Sequence, residues 1–133
     1  MNREAWQSDR MPRSGFQHLH VWQEAVRLAV ATRPVCQALE RSRRWHLGDQ
    51  IARAATSVHA NIAEANGRDS RRDRLRILTI AWGSLLEVEA LLVEAAADEQ
   101  LTLLIARCHP YVRRTTRLLA AFRRSLRLPG PAA

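Results

Sequence analysis

A chain of 133 residues, 47% of them hydrophobic, carries enough apolar material for one domain with one core and too much to stay unfolded. No apolar run approaches the ~18 residues of a membrane span. The N-terminal stretch MNREAWQSDRMPRSG has no apolar centre, which argues against a signal peptide and makes the cytoplasm the expected location. Twenty-one basic residues against 13 acids leave a net charge of +8, and every base is arginine. Arginine pairs with phosphate through two parallel hydrogen bonds, although a GC-rich genome also enriches it.

No alternating β-branched run suggests a strand, whereas helical periodicity occurs four times. Residues 1–15 are expected to be disordered or loosely attached. The first helix is predicted from about Gln17 to Arg41, with Val21, Ala25, Leu28 and Leu39 among its apolar positions and Pro34 on the outer side as a kink. The second starts after Ser42 as N-cap and ends at Asn66, with Gly67 as a left-handed cap and Gly48 weakening its first turns. The third follows Ser70, with Asp73 placed for a capping box, and runs to about Asp98. Its two apolar stripes, one through Leu78, Trp82 and Leu85 and one through Ile80, Ser84 and Val88, together span about 200° and predict burial on more than one side. The fourth follows Thr102 as N-cap and passes Pro110, a kink or restart, before a frayed tail at 129–133.

Short connections make an antiparallel up-down four-helix bundle over residues 16–128 the natural all-α architecture. The competing architecture is a helical hairpin whose core closes only in an oligomer. Cys36 and Cys108 lie on apolar stripes and are expected to be buried free thiols. Catalytic and cofactor signals are lacking. His18 and His20 diverge by ~200° on a helix, Glu87 and Glu89 are an ordinary helical pair, and phosphate-loop and nucleophile motifs are absent. The expectation is a protein with no cofactor, no metal and no enzymatic activity.

Three segments in order carry a resemblance: LHVWQEAVRLA (19–29), DQIARAATSVHANIAEANGR (49–68) and LTIAWGSLLEVE (78–89). They resemble the four-helix-bundle family of 23S rRNA intervening-sequence proteins, related to the accessory variability determinants of diversity-generating retroelements. Ala65 stands where that family usually has Gly, His59 where Pro is common, and Leu75 in place of Phe. The resemblance implies a bundle that assembles as a ring-like homopentamer without enzymatic activity. For the retroelement branch it implies binding of RNA or DNA and of a reverse transcriptase.

On the second helix Gln50, Arg53, Ser57, Asn61, Glu64 and Arg68 fall within about 80° of one another, between an apolar face and a face of small residues. That placement predicts a largely buried hydrogen-bonded network, with Glu87 of the third helix near Arg53 or Gln50. The alternative is a direct ligand contact. Gly83 and Ser84 in mid-helix suggest close approach of another backbone, within the bundle or across an interface.

Charge is segregated along the chain. Residues 77–99 hold five acids and no base; after Glu99 there are seven arginines and no acid. The predicted nucleic-acid contacts are Arg68, Arg71, Arg72 and Arg74 in RDSRRDRLR (68–76), and Arg113, Arg117, Arg124 and Arg127 on the far side of the fourth helix. Few aromatics are free to stack on bases, so binding should be driven by phosphate, tolerant of sequence and sensitive to salt. The alternative is a solvated arginine face on a protein-binding oligomeric scaffold with no nucleic-acid ligand.

Overall fold

In the computed structural model, which describes residues 15–127, four helices form the expected antiparallel bundle, and no strand occurs among the described residues. They are α1 (His20–Arg41), α2 (Trp45–Asn66), α3 (Arg71–Ala95) and α4 (Thr102–Arg127). The expectations for the N-terminal segment, apart from Gly15, and for the tail lie outside these residues. Helix α1 packs on α2 and α4, and α3 on α2 and α4, so the chain runs up-down-up-down around a square. The starts of α1 and α3 and the ends of α2 and α4 therefore share one end of the bundle.

The core is built from the predicted stripes. Leu28, Leu39, Ile51, Ile62, Leu78, Leu85, Leu92 and Leu119 are fully buried, with contributions from every helix. One chain thus closes its own core, which removes the open-hairpin alternative. Cys108 is buried, donating from Sγ to the Ala31 carbonyl at 3.3 Å, and Cys36 is half-buried; both are free. Burial pushes both thiols up, Cys108 to about 11. They are protonated at neutral pH and poor nucleophiles.

Several helix ends differ from the sequence reading. Ser42 caps the end of α1 rather than the start of α2, its hydroxyl donating to the Leu39 carbonyl at 3.1 Å. The α1–α2 turn is completed by Arg43 at φ 62°, and α2 starts only at Trp45, with no side-chain cap. Gly67 is right-handed (φ −86°), because its N–H closes a tighter turn on the Glu64 carbonyl at 3.0 Å. Ser70 caps α3 as expected, accepting the Asp73 N–H at 3.1 Å. Helix α3 stops at Ala95, where Asp98 caps a short 3-10 turn by accepting the Gln100 N–H at 3.0 Å. Thr102 is not an N-cap; it lies inside the first turn of α4 and its hydroxyl donates to the Glu99 carbonyl at 2.9 Å. Both prolines are accommodated: α1 runs through exposed Pro34, and α4 runs through Pro110 without restarting.

A 3-10 turn at Gly15–His18 precedes α1, where the ring of Phe16 meets Trp22 edge-on at 5.1 Å. Glu24 ties α1 to α4. It accepts from Arg27 at 2.8 Å and from Arg114 at 3.2 Å, and its side chain is only 13% exposed. Glu24→Ala should lower stability by about 1–2 kcal/mol, because two guanidinium groups lose a largely desolvated partner. Urea unfolding checks this, and an unchanged midpoint would contradict it.

Candidate nucleic-acid interface

The up-down topology joins two segments that are far apart in sequence. Arg68–Arg76 leads into α3, and Arg123–Arg127 ends α4, at the same end of the bundle. The register brings the guanidinium of Arg123 to 4.9 Å from the centre of the Trp82 ring on α3. Antiparallel packing carries Arg127, one turn further, toward the start of α3.

The arginines at this end are not equivalent. Arg68 pairs with Glu64 and lies 3.7 Å from Asp73, and these acids raise its pKa further. Arg74 donates from Nε to the Arg68 carbonyl at 2.6 Å, and Arg76 grips Asp73 with two nitrogens at 3.0 and 2.8 Å. These bonds hold the turn and point the remaining charge outward. Arg72, Arg113, Arg117, Arg124 and Arg127 are exposed, and the described residues contain no ion pair to any of them. At ~100° per residue Arg113, Arg117 and Arg124 form one line down the outer face of α4, with Arg127 leaning toward α3. From Arg113 to Arg127 the line is about 21 Å long at 1.5 Å per residue, or roughly six base steps of a nucleic-acid strand.

Helix electrostatics distinguish the two segments. Arginines in the last turn of α4 complement the negative end of its dipole and need no further explanation. Arg71, Arg72, Arg74 and Arg76 crowd the positive end of α3, while Glu94 sits near its negative end, both against the dipole. Each misplaced charge costs about 0.3–1 kcal/mol at low salt. Arg74 and Arg76 are accounted for by their bonds to the Arg68 carbonyl and Asp73, but helix stability does not account for Arg71 and Arg72 in the first turn of α3.

A model of the 23S rRNA-intervening sequence protein family matches residues 17–104. The chain belongs to this family. A search of curated proteins gave no match. Among solved structures, a protein of unknown function from the S23 ribosomal protein family of Bacteroides thetaiotaomicron VPI-5482, a crystal structure at 1.70 Å, is similar with 25% identity and a TM-score of 0.70. The similarity covers 77% of this chain and 96% of that one. In this member of the family, the match takes in Arg68–Arg76 but stops before Arg113, so the arginine line of α4 lies outside it.

The polar line of α2, in the middle of the family match, divides within the chain. At its centre the Ser57 and Ser84 hydroxyls meet at 2.7 Å between α2 and α3, and Asn61 donates to the Ser57 carbonyl and hydroxyl at 2.8 and 3.0 Å. Its ends are not buried. Gln50, Glu64 and Glu87 are exposed, and the Arg53 side chain is 79% exposed, paired with Asp49 at 3.1 Å rather than with Glu87. The reason is packing: the remaining two helices cover the opposite side of the α2–α3 pair and leave this side open. Gly83 meets nothing there, since a Cβ at that position would have no neighbour within 4 Å among the described residues. Ile80 (48% exposed) and Val93 (72% exposed) are also left open, so the described residues bury α3 on a single face rather than on more than one.

His59 of the same helix is half-buried, which lowers its pKa from 6.5. Above that value both the folded and the unfolded chain are neutral at His59. As pH falls below it the unfolded chain takes up the proton first, so stability should decline until the folded pKa is passed. Thermal melts from pH 7.5 to about 5 check this. His59→Gln should show a smaller decline than the wild type.

Sequence reading missed the Trp82–Arg123 contact. Both residues were visible, Trp82 as a core position and Arg123 as one of seven arginines, but only the α3–α4 register brings them together. Among the described residues, no group of three His, Cys, Asp or Glu side chains could hold a metal, and no helix is long and apolar enough to cross a membrane.

Proposed function

We propose that this chain is a non-enzymatic, self-associating bundle that binds RNA or DNA through phosphate contacts at its arginine-rich end and along α4. The massing of arginines at the positive end of α3, next to the α4 arginines that make no ion pair among the described residues, carries this reading. That arrangement works against helix stability and serves to concentrate positive potential on one surface. With few aromatics exposed there, recognition follows the backbone rather than the bases. Fluorescence anisotropy of labelled RNA and DNA across a salt series tests it: affinity should fall steeply from low to moderate salt, and a flat profile would refute the reading.

The open α2–α3 side supports the self-association. Gly83 costs about 1 kcal/mol in mid-helix relative to alanine, and nothing among the described residues accounts for it. A second copy laid against Gly83, Ile80 and the Arg53–Glu87 edge would account for it and would repeat the basic surface around an assembly, multiplying a weak affinity. The family resemblance favours a pentamer and brings a reverse transcriptase as a further partner. Mass in solution tests the first and co-purification with an encoded neighbouring reverse transcriptase the second. An assembly with no affinity for nucleic acid at low salt would favour the protein-binding scaffold.

A further inference from the structure

Arg123 differs from the other arginines of α4. It is half-buried, its guanidinium lies over Trp82 at 4.9 Å, and its Nε is covered with no hydrogen-bond partner among the described residues. Arg127 sits one turn away, and burial together with that second charge lowers the pKa of Arg123. Helix α4 contains no acid, and on α3 the residues within one turn of Trp82, from 78 to 86, contain none either. A partly desolvated cation with a like charge beside it, whose Nε has no partner among the described residues, gains from a nearby anion. The indole face compensates part of the charge and fixes the plane of the guanidinium.

We propose that Arg123, held on Trp82 with Arg127 beside it, is a seat for a phosphate-type oxyanion, occupied by a backbone phosphate of the bound nucleic acid. Among the described residues no hydrogen bond or ion pair engages the terminal nitrogens of Arg123. The guanidinium fork matches two phosphate oxygens, and Arg127 supplies a second cation. The seat lies between the start of α3 and the line Arg113–Arg117–Arg124, and so joins the two basic segments into one track. This assignment rests on the nucleic-acid reading above.

The test compares wild type, Arg123→Ala, Arg123→Lys and, as a control at the far end of α4, Arg107→Ala. Anisotropy of fluorescein-labelled oligouridine and of a mixed-sequence DNA duplex is followed across a salt series. Arg123→Ala should bind about tenfold more weakly with a salt slope lower by about one, Arg123→Lys should fall between, and Arg107→Ala should match wild type. Circular dichroism confirms that each variant is folded. In a second arm, inorganic phosphate at matched ionic strength should raise the melting temperature of wild type more than that of Arg123→Ala, showing that the seat accepts the free anion. If wild type binds with a steep salt dependence and Arg123→Ala is unchanged, the seat is wrong and the broader reading stands. If wild type does not bind, both fail. If Arg123→Ala alters only the mass in solution, the seat holds a carboxylate of a second copy and the phosphate assignment is overturned.

Discussion

Replacing Arg113, Arg117, Arg124 and Arg127 together by glutamine should abolish nucleic-acid binding while leaving the bundle folded. Each of the four is exposed, and none makes an ion pair among the described residues, so their loss removes no contact that holds the core. Every phosphate contact contributes about 0.9 to the slope of log affinity against log salt, so four contacts account for roughly three decades of affinity near 0.1 M salt. The quadruple variant should therefore lose about a thousand-fold in affinity and flatten the salt profile, with a melting temperature close to wild type. A variant that binds as tightly as wild type would show that α4 presents a merely solvated face. Substituting Arg72 alone should weaken binding by roughly five- to tenfold, since one exposed phosphate contact is worth about one unit of slope.

The second large effect separates two glycines. Gly48 is buried where α2 crosses α1, and a Cβ there would lie 3.1 Å from the Cys36 carbonyl and 3.5 Å from the Leu39 Cβ. The carbonyl is backbone and cannot rotate away, so the helices must separate to admit a side chain. Gly48→Val should destabilise by about 1–3 kcal/mol, lowering the melting temperature by roughly 5–15 °C. Gly83 is the opposite case. With nothing near its Cβ direction, Gly83→Ala should stabilise the isolated chain by about 0.5–1 kcal/mol through helix propensity. Gly83→Leu should leave the chain folded but reduce its mass in solution, if a second copy packs on that face. Thermal melts paired with light scattering distinguish these outcomes. An equal loss of stability at both positions would contradict the packing described.

How much was legible in the sequence depends on the range of the interaction. Ser70 was readable as an N-cap because its partner is the N–H of Asp73, three residues away. Ser42 and Thr102 were misread because either hydroxyl can accept from the following turn or donate to the preceding one. The surrounding backbone, including left-handed Arg43, makes the choice. Ser57 and Asn61 were readable as a pair one turn apart. The bond from Ser57 to Ser84 needed the α2–α3 register, and the exposure of Gln50, Arg53, Glu64 and Glu87 needed the knowledge that neither α1 nor α4 lies outside them.

The amino-acid order by itself determined the four helices, their apolar stripes, the family and the segregation of charge. These are set by the 3.6-residue period and by motifs of consecutive residues, which involve no distant partner. Only the tertiary structure decided which glycine is crowded and which is open, and which arginines are paired. It also decided that the start of α3 and the end of α4 form one basic end, with Arg123 over Trp82. Those outcomes depend on how helices are placed against each other. The same stripe can be covered or left bare, and the same charge compensated or unopposed, according to which neighbour the packing brings to it.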